Sequence, residues 1–152
     1  MFRDVVSSPE GLREHYRDPS PGSLRKQINH LDEHCRAFIA HSPFVVLATS
    51  AADGSVDVSP KGGPAGFVEV LDDGHLAIPD LLGNNRLDSL TNLTSNPGVG
   101  LLFFIPGRDE TLRVNGRAAV VVDDDVLDRC VVMGRRPKTA IGVTVEEAYL
   151  HC

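Results

Sequence analysis

The chain has no run of apolar residues near the roughly 20 needed to cross a bilayer, and its opening stretch, MFRDVVSSPEGLREHY, has no apolar signal-peptide core. These absences set the expectation of a cytoplasmic protein with no membrane partner. Cysteine is scarce: Cys35, Cys130 and Cys152 are an odd number without CxxC spacing, which suits reduced thiols better than a disulfide framework. Lysine is scarcer still relative to arginine, which supplies 12 of the 15 basic residues. A net charge of −6 speaks against a general nucleic-acid binder, since phosphate contacts need a basic face. Arginine favours planar, bidentate anion recognition, so a few well-placed arginines can still hold one phosphate. No repeat, GxSxG elbow, HExxH motif or strand–GxGxxG–helix unit occurs. Those gaps remove the simplest hydrolase, metalloprotease and dinucleotide-fold readings.

What is present fits one domain over residues 1–152, with a helical N-terminal segment over 1–42. Pro9–Tyr16 reads as a short helix. Leu24, Ile28, Leu31, Cys35, Phe38 and Ile39 recur at spacings of three and four, which predicts one amphipathic helix from Ser23 to just before Pro43. The period then changes. FVVLATS (Phe44–Ser50) and SVDVSPK (Ser55–Lys61) read as strands joined by an AADG turn, and GFVEVLDDGHLAIPD as a hairpin turning at Asp72-Asp73-Gly74. GNNRLDSLTNLTSNP predicts a helix of about ten residues, with Asn84 or Asn85 near its N-cap. VGLLFFIP, the long TLRVNGRAAVVVD and VTVEEAYLH complete seven strand segments, with a helix over DDDVLDRCVVMG before the last. Mostly hairpin connections imply an antiparallel sheet or small barrel, not a βαβ series.

Three polar groupings stand out, each with an ordinary alternative. Asn84-Asn85-Arg86 at a helix start is a candidate phosphate cradle, or an N-cap followed by a solvated arginine. Asp57, Ser59 and Lys61 alternate onto one face of their strand, either as a polar lining or as the wet side of an edge strand. The glycines and prolines that follow in DVSPKGGPAGF mark a strand end, and in strand context such residues mark close approach by a ligand or another backbone. Arg113, Asn115 and Arg117 share a face of the long strand, where solvent is the default partner. His30 and His34 stand at i, i+4 without a third ligand, so no metal site is expected.

The order of segments resembles the FMN-binding split barrels of the pyridoxamine 5′-phosphate oxidase-like family. The resemblance is carried by FVVLATSAADGSVDVSPKGG, HLAIPDLLGNNRLDSLTNLTSNPGVGLLFFIPG and ETLRVNGRA, and extends over roughly residues 10 to 152. LDEHCRAFIAHSPF and the late RRPKTAI and VEEAYLHC further resemble one bacterial subgroup. The resemblance implies a mainly β fold: a six-stranded antiparallel barrel with flanking helices. It further implies a homodimer with FMN at the subunit interface and a small-molecule substrate. In this chain Asp57, Ser59 and Lys61, with Ile78, Pro79 and Asp80, match segments flanking the flavin ring and ribityl chain. Asn84, Asn85 and Arg86 match the phosphate segment, and the strand holding Arg113 and Asn115 matches one reaching the flavin across the interface. No catalytic acid or base is marked. Pyridoxamine oxidases open the phosphate helix with an Arg-Lys pair where this sequence has Asn-Asn-Arg. They also continue past the His151-Cys152 position into a basic tail that helps bind substrate, so pyridoxamine phosphate is not the expected substrate. The resulting expectation is an FMN-dependent oxidoreductase. A non-catalytic flavin- or haem-binding protein and a deazaflavin-dependent reductase are its alternatives.

Overall fold

The computed structural model describes residues 1–151. Three helices precede the sheet: α1 (Pro9–His15), α2 (Pro21–Arg25) and α3 (Glu33–His41). Each has a side-chain N-cap: Ser8 accepts from Gly11 N, Ser20 from Ser23 N and Asp32 from Cys35 N. The single helix expected from Ser23 to Pro43 is therefore two, with an extended break between them. At the break Ile28 pairs with Ala148, and Leu31 N donates to Asp73 O at 2.6 Å. Helical spacing alone could not reveal a competing strand partner more than a hundred residues away. The i, i+4 relation of His30 and His34 dissolves with it, because His30 precedes the helix.

Seven strands follow: β1 (Phe44–Ser50), β2 (Val56–Gly62), β3 (Glu69–Asp72), β4 (His75–Pro79), β5 (Gly98–Phe104), β6 (Thr111–Val121) and β7 (Ala140–His151). Between them lie α4 (Asp88–Leu93) and α5 (Asp124–Arg129). All pairings are antiparallel, in the order β2-β1-β5-β6-β7-β4-β3. The β3–β4 turn falls at Asp72-Asp73-Gly74 as read, with Gly74 N held by the Asp72 carboxylate at 2.7 Å. The fold is mainly β with flanking helices, as expected. It is a seven-stranded sheet that does not close, where the resemblance implied a six-stranded barrel. Its two edges, β2 and β3, are successive in the chain and do not pair with each other.

One face of the sheet carries the core. Val45, Leu47, Leu101, Phe103, Leu112, Val114, Ile141 and Val143 meet Leu31, Cys35 and Ile39 from the α3 region, all buried. Leu93 of α4 joins this cluster, while Leu127 of α5 covers a smaller one around Ala77 and Ala140. Where β6 shifts register against β7, at Asn115/Gly116, a Cβ on Gly116 would lie 2.1 Å from Thr144 O. Only glycine allows that close crossing of backbones.

Candidate functional site

Strand β2 wears its polarity inside out. Val56 and Val58 are 79% and 64% exposed, whereas Asp57, Ser59 and Lys61 are half-buried. Register explains the inversion: Asp57, Ser59 and Lys61 stand opposite Thr49, Leu47 and Val45, on the core side of β1. There α4 presents Ser89, which is only 4% exposed. Asp57 Oδ2 accepts from Ser89 Oγ at 2.8 Å and from Ser59 Oγ at 3.0 Å, and the two hydroxyls lie 3.0 Å apart. Asp57, Ser59 and Lys61 therefore face α4 and the core side of β1, and the wet face of this strand carries Val56 and Val58. Two amides extend the polar lining: Asn92 Nδ2 donates to Thr49 Oγ1 at 3.0 Å and Asn96 Nδ2 to Ser50 Oγ at 2.8 Å. Lys61 Nζ stands 3.5 Å from Asp80 Oδ1, both side chains about three-quarters covered.

The loop from Asp80 to Leu87 places the expected phosphate residues outside the helix. α4 starts at Asp88, and its N-cap position is Leu87, left-handed at φ 60 and without a side-chain cap bond. Asn84 instead closes a local turn, its Oδ1 accepting from Arg86 N at 3.1 Å, and Asn85 takes φ 59, which asparagine tolerates. An Asn side chain that bonds its own backbone competes with helix, so the helix starts later than its sequence suggests. Arg86, 72% exposed at its side chain, donates through Nε to Asp88 Oδ2 at 2.8 Å. The Asp88 hydrogen bond, followed by the Asp88 charge and a contribution from Asp57, raises the Arg86 pKa against the opposing effect of desolvation. Formal charge here is two cations, Lys61 and Arg86, against three carboxylates, Asp57, Asp80 and Asp88.

The other expected residues occupy different surfaces. Ile78 is 1% exposed and packs in the core, and Pro79 is buried beside Ala140. Arg113 and Asn115 point away from the core, on the outward face. Arg113 lies over the Tyr149 ring at 4.9 Å, and Asn115 Nδ2 donates to Glu147 Oε1 at 3.2 Å. Gln27 Nε2 holds the other oxygen of Glu147 at 2.8 Å. Beside Asn115 the outward face has little relief, because Gly100 has no side chain and its β1 neighbour Ala48 has only a methyl group; a Cβ on Gly100 would stand 3.4 Å from Asn115 Oδ1 and 3.9 Å from Ala48 Cβ. One chain therefore gathers Asp57, Ser59, Lys61, Asp80 and Arg86 near one sheet edge, and sets Arg113 and Asn115 on the opposite face.

Ser89, Thr49, Asn92 and Asn96 were not singled out in the sequence. The spacing of Ser89, Asn92 and Asn96 does form a polar stripe within LDSLTNLTSNP, a legible signal that the covered side of this helix is polar. Two concavities lie elsewhere. A groove of about 340 Å³ runs between α5 and the sheet, lined by His75, Arg117, Ala119, Val121 and Val126 among others; one of about 140 Å³ adjoins Phe67 and Arg129. Neither hollow gathers three mutually hydrogen-bonded polar side chains as the Asp57 cluster does. Cys35 is buried, and desolvation pushes its thiol up to about 12; desolvation also raises Cys130. Neither is a ready nucleophile. Among the described residues no group of three metal-ligating side chains comes together, and no helix is long and apolar enough to cross a membrane.

An antiparallel sheet open between successive edge strands, with a polar cluster beneath α4 at one of those edges, belongs to the split-barrel class. The chain is a member of the pyridoxamine 5′-phosphate oxidase family, whose model matches residues 31–152. Among solved structures, it is similar to a candidate pyridoxamine 5′-phosphate oxidase from Lactobacillus delbrueckii, with 26% identity, TM-score 0.62, and coverage of 80% of this chain and 95% of that one. HupZ from Group A Streptococcus shares 17% identity at TM-score 0.63, over 77% and 90% of the two chains. An FMN-binding protein from Syntrophomonas wolfei shares 13% at TM-score 0.57, over 77% and 83%. No curated protein matches.

Proposed function

We propose that this chain binds FMN as a homodimer and acts as a flavin-dependent oxidoreductase on a small organic substrate. One observation carries the reading: the family's matching polar residues divide between the two faces of one sheet. A ligand touching both sets fits between two copies more readily than within one. Val56 and Val58, exposed on the outward face with Phe44, supply apolar surface for such a pairing.

The residues suit the parts of FMN. Arg86 uses Nε on Asp88 and leaves its terminal nitrogens for an anion, with the amides of Asn84 and Asn85 beside it in sequence. Gly100 and Ala48 leave a flat floor for a ring, and the Asn115 amide lies at its margin. Bound flavin supplies the hydride or electron chemistry; the protein anchors, orients and tunes it. Here Ser59 and Ser89 fix the Asp57 carboxylate, and Asp80 steadies Lys61 at the same edge.

Denaturing the purified protein and weighing the released small molecule tests this reading. FMN supports it; haem or a deazaflavin redirects it to the corresponding alternative. Colourless protein that takes up no added FMN overturns it. Rapid mixing of the flavin-loaded protein with NADH or NADPH separates an enzyme, whose flavin is reduced and turns over, from a carrier, whose flavin is not.

A further inference from the structure

Residues 1–27 form an arm that has no buried side chain, and its two helices bury nothing. Both helices are nevertheless built with care, each with a serine N-cap and a proline at its start. Helices of seven and five residues do not hold themselves in water, so capped turns displaying Leu12, Tyr16 and Leu24 to solvent imply a surface outside this chain. The place where the arm joins the body indicates which surface. Ile28 N donates to Ala148 O at 3.0 Å and Ala148 N to Ile28 O at 2.7 Å, fastening the arm's base to the stretch of β7 that lies beyond its pairing with β4. Gln27 turns onto the outward face to hold Glu147. From Glu147, paired residues run across that face through Asn115, Gly100 and Ala48 to Val58. Arm and apolar strip thus share one face, at opposite sides. Within a single chain both stay uncovered, so the arm does not fold back on its own strip.

We propose that the arm of each copy crosses to the second copy and lays Leu12, Tyr16 and Leu24 on the partner's exposed Phe44, Val56 and Val58. A two-fold axis lying in the plane of the paired faces, parallel to the strands, brings each arm's base over the partner's β1–β2 strip and pairs the contacts reciprocally. Reach is ample: five strands span about 19 Å, and a segment of this length extends well beyond that. The inference rests on the homodimer proposed above.

Limited trypsin digestion of the full-length protein, followed by mass spectrometry and paired with sedimentation at the same concentrations, tests it. Cleavage after Arg13, Arg17 and Arg25 is expected to be about tenfold slower where dimer prevails than where monomer does, a difference of about 1.4 kcal/mol in opening. Val58→Glu, on an exposed edge position, is expected to abolish that protection without moving the melting temperature of the body. Mixing Leu12→Cys chains with Val58→Cys chains under mild oxidation is expected to give a disulfide joining the two kinds of chain. A dimer whose arm is cut as fast as the monomer's overturns the arm contact alone. A chain monomeric at every concentration overturns both the arm contact and the homodimer. A Leu12→Cys/Val58→Cys double variant that closes within single chains places the arm on its own strip and overturns the crossing.

Discussion

Ser89 Oγ lies 2.8 Å from Asp57 Oδ2, tying a short helix to an edge strand 32 residues earlier. Ser59 donates to the same oxygen, so one carboxylate organises a strand and a helix at the edge where the candidate site sits. Ser89→Ala removes one of its two hydroxyl donors in a place where Ser89 itself is buried. The expected cost is about 1–2 kcal/mol, read as a lower urea midpoint with an unchanged slope. FMN affinity is expected to fall with it, because the strand and the Asp80–Leu87 loop lose their common anchor.

Arg86 and Asp88 oppose each other in the same loop. Arg86→Ala is expected to weaken FMN by about 1.5–3 kcal/mol, as for a lost charge-assisted hydrogen bond. Asp88→Asn is expected to strengthen FMN binding several-fold by freeing the guanidinium of its internal partner, an exposed pair of small intrinsic worth. Riboflavin, which lacks the phosphate, is expected to respond to neither change. Fluorescence titration of both flavins checks all four values, and equal responses of FMN and riboflavin place the phosphate elsewhere.

Asp32 provides an acid-sensitive contribution. Its carboxylate accepts from Cys35 N at 2.8 Å, and this bond chiefly lowers its pKa, against some desolvation. A depressed folded pKa contributes stability that is present above the unfolded value, near 4, and is lost as pH falls through the folded one. Asp32→Ala is expected to cost about 1 kcal/mol at neutral pH. The gap from wild type is expected to close in acid, which urea melts from pH 7 down to pH 3 follow.

Gly116 tests the bulge. Its added Cβ would sit 2.1 Å from Thr144 O and 3.1 Å from Thr144 C, backbone atoms that cannot swing aside. Gly116→Ala is expected to destabilise by about 3 kcal/mol, at the upper end for overpacking. Gly100→Ala meets only contacts of 3.4 Å and beyond. It is expected to leave the melting temperature nearly unchanged while reducing flavin affinity through the lost flat floor.

Much of the fold was legible because local chemistry and tertiary demand agree. β1 matches its read boundaries, the Asp72-Asp73-Gly74 turn falls in place, and all seven strand segments appear. The failures have a shared cause. Ile28 has the spacing of a helix but the partner of a strand, and Asn84 and Asn85 look like caps yet spend themselves in a turn. Each was settled by a competitor that spacing does not encode. β2 is the most instructive. Alternation separates Asp57, Ser59 and Lys61 from Val56 and Val58, but cannot say which side α4 covers. Ser89 and Asn92 supply that answer, and their polarity is visible in the sequence once the helix face is known.

The most direct test of the central claim is release and mass measurement of the small molecule carried by the full-length protein, with its amount per chain. A mass equal to FMN at close to one per chain is the predicted result. Protein without flavin that also fails to acquire added FMN contradicts the account.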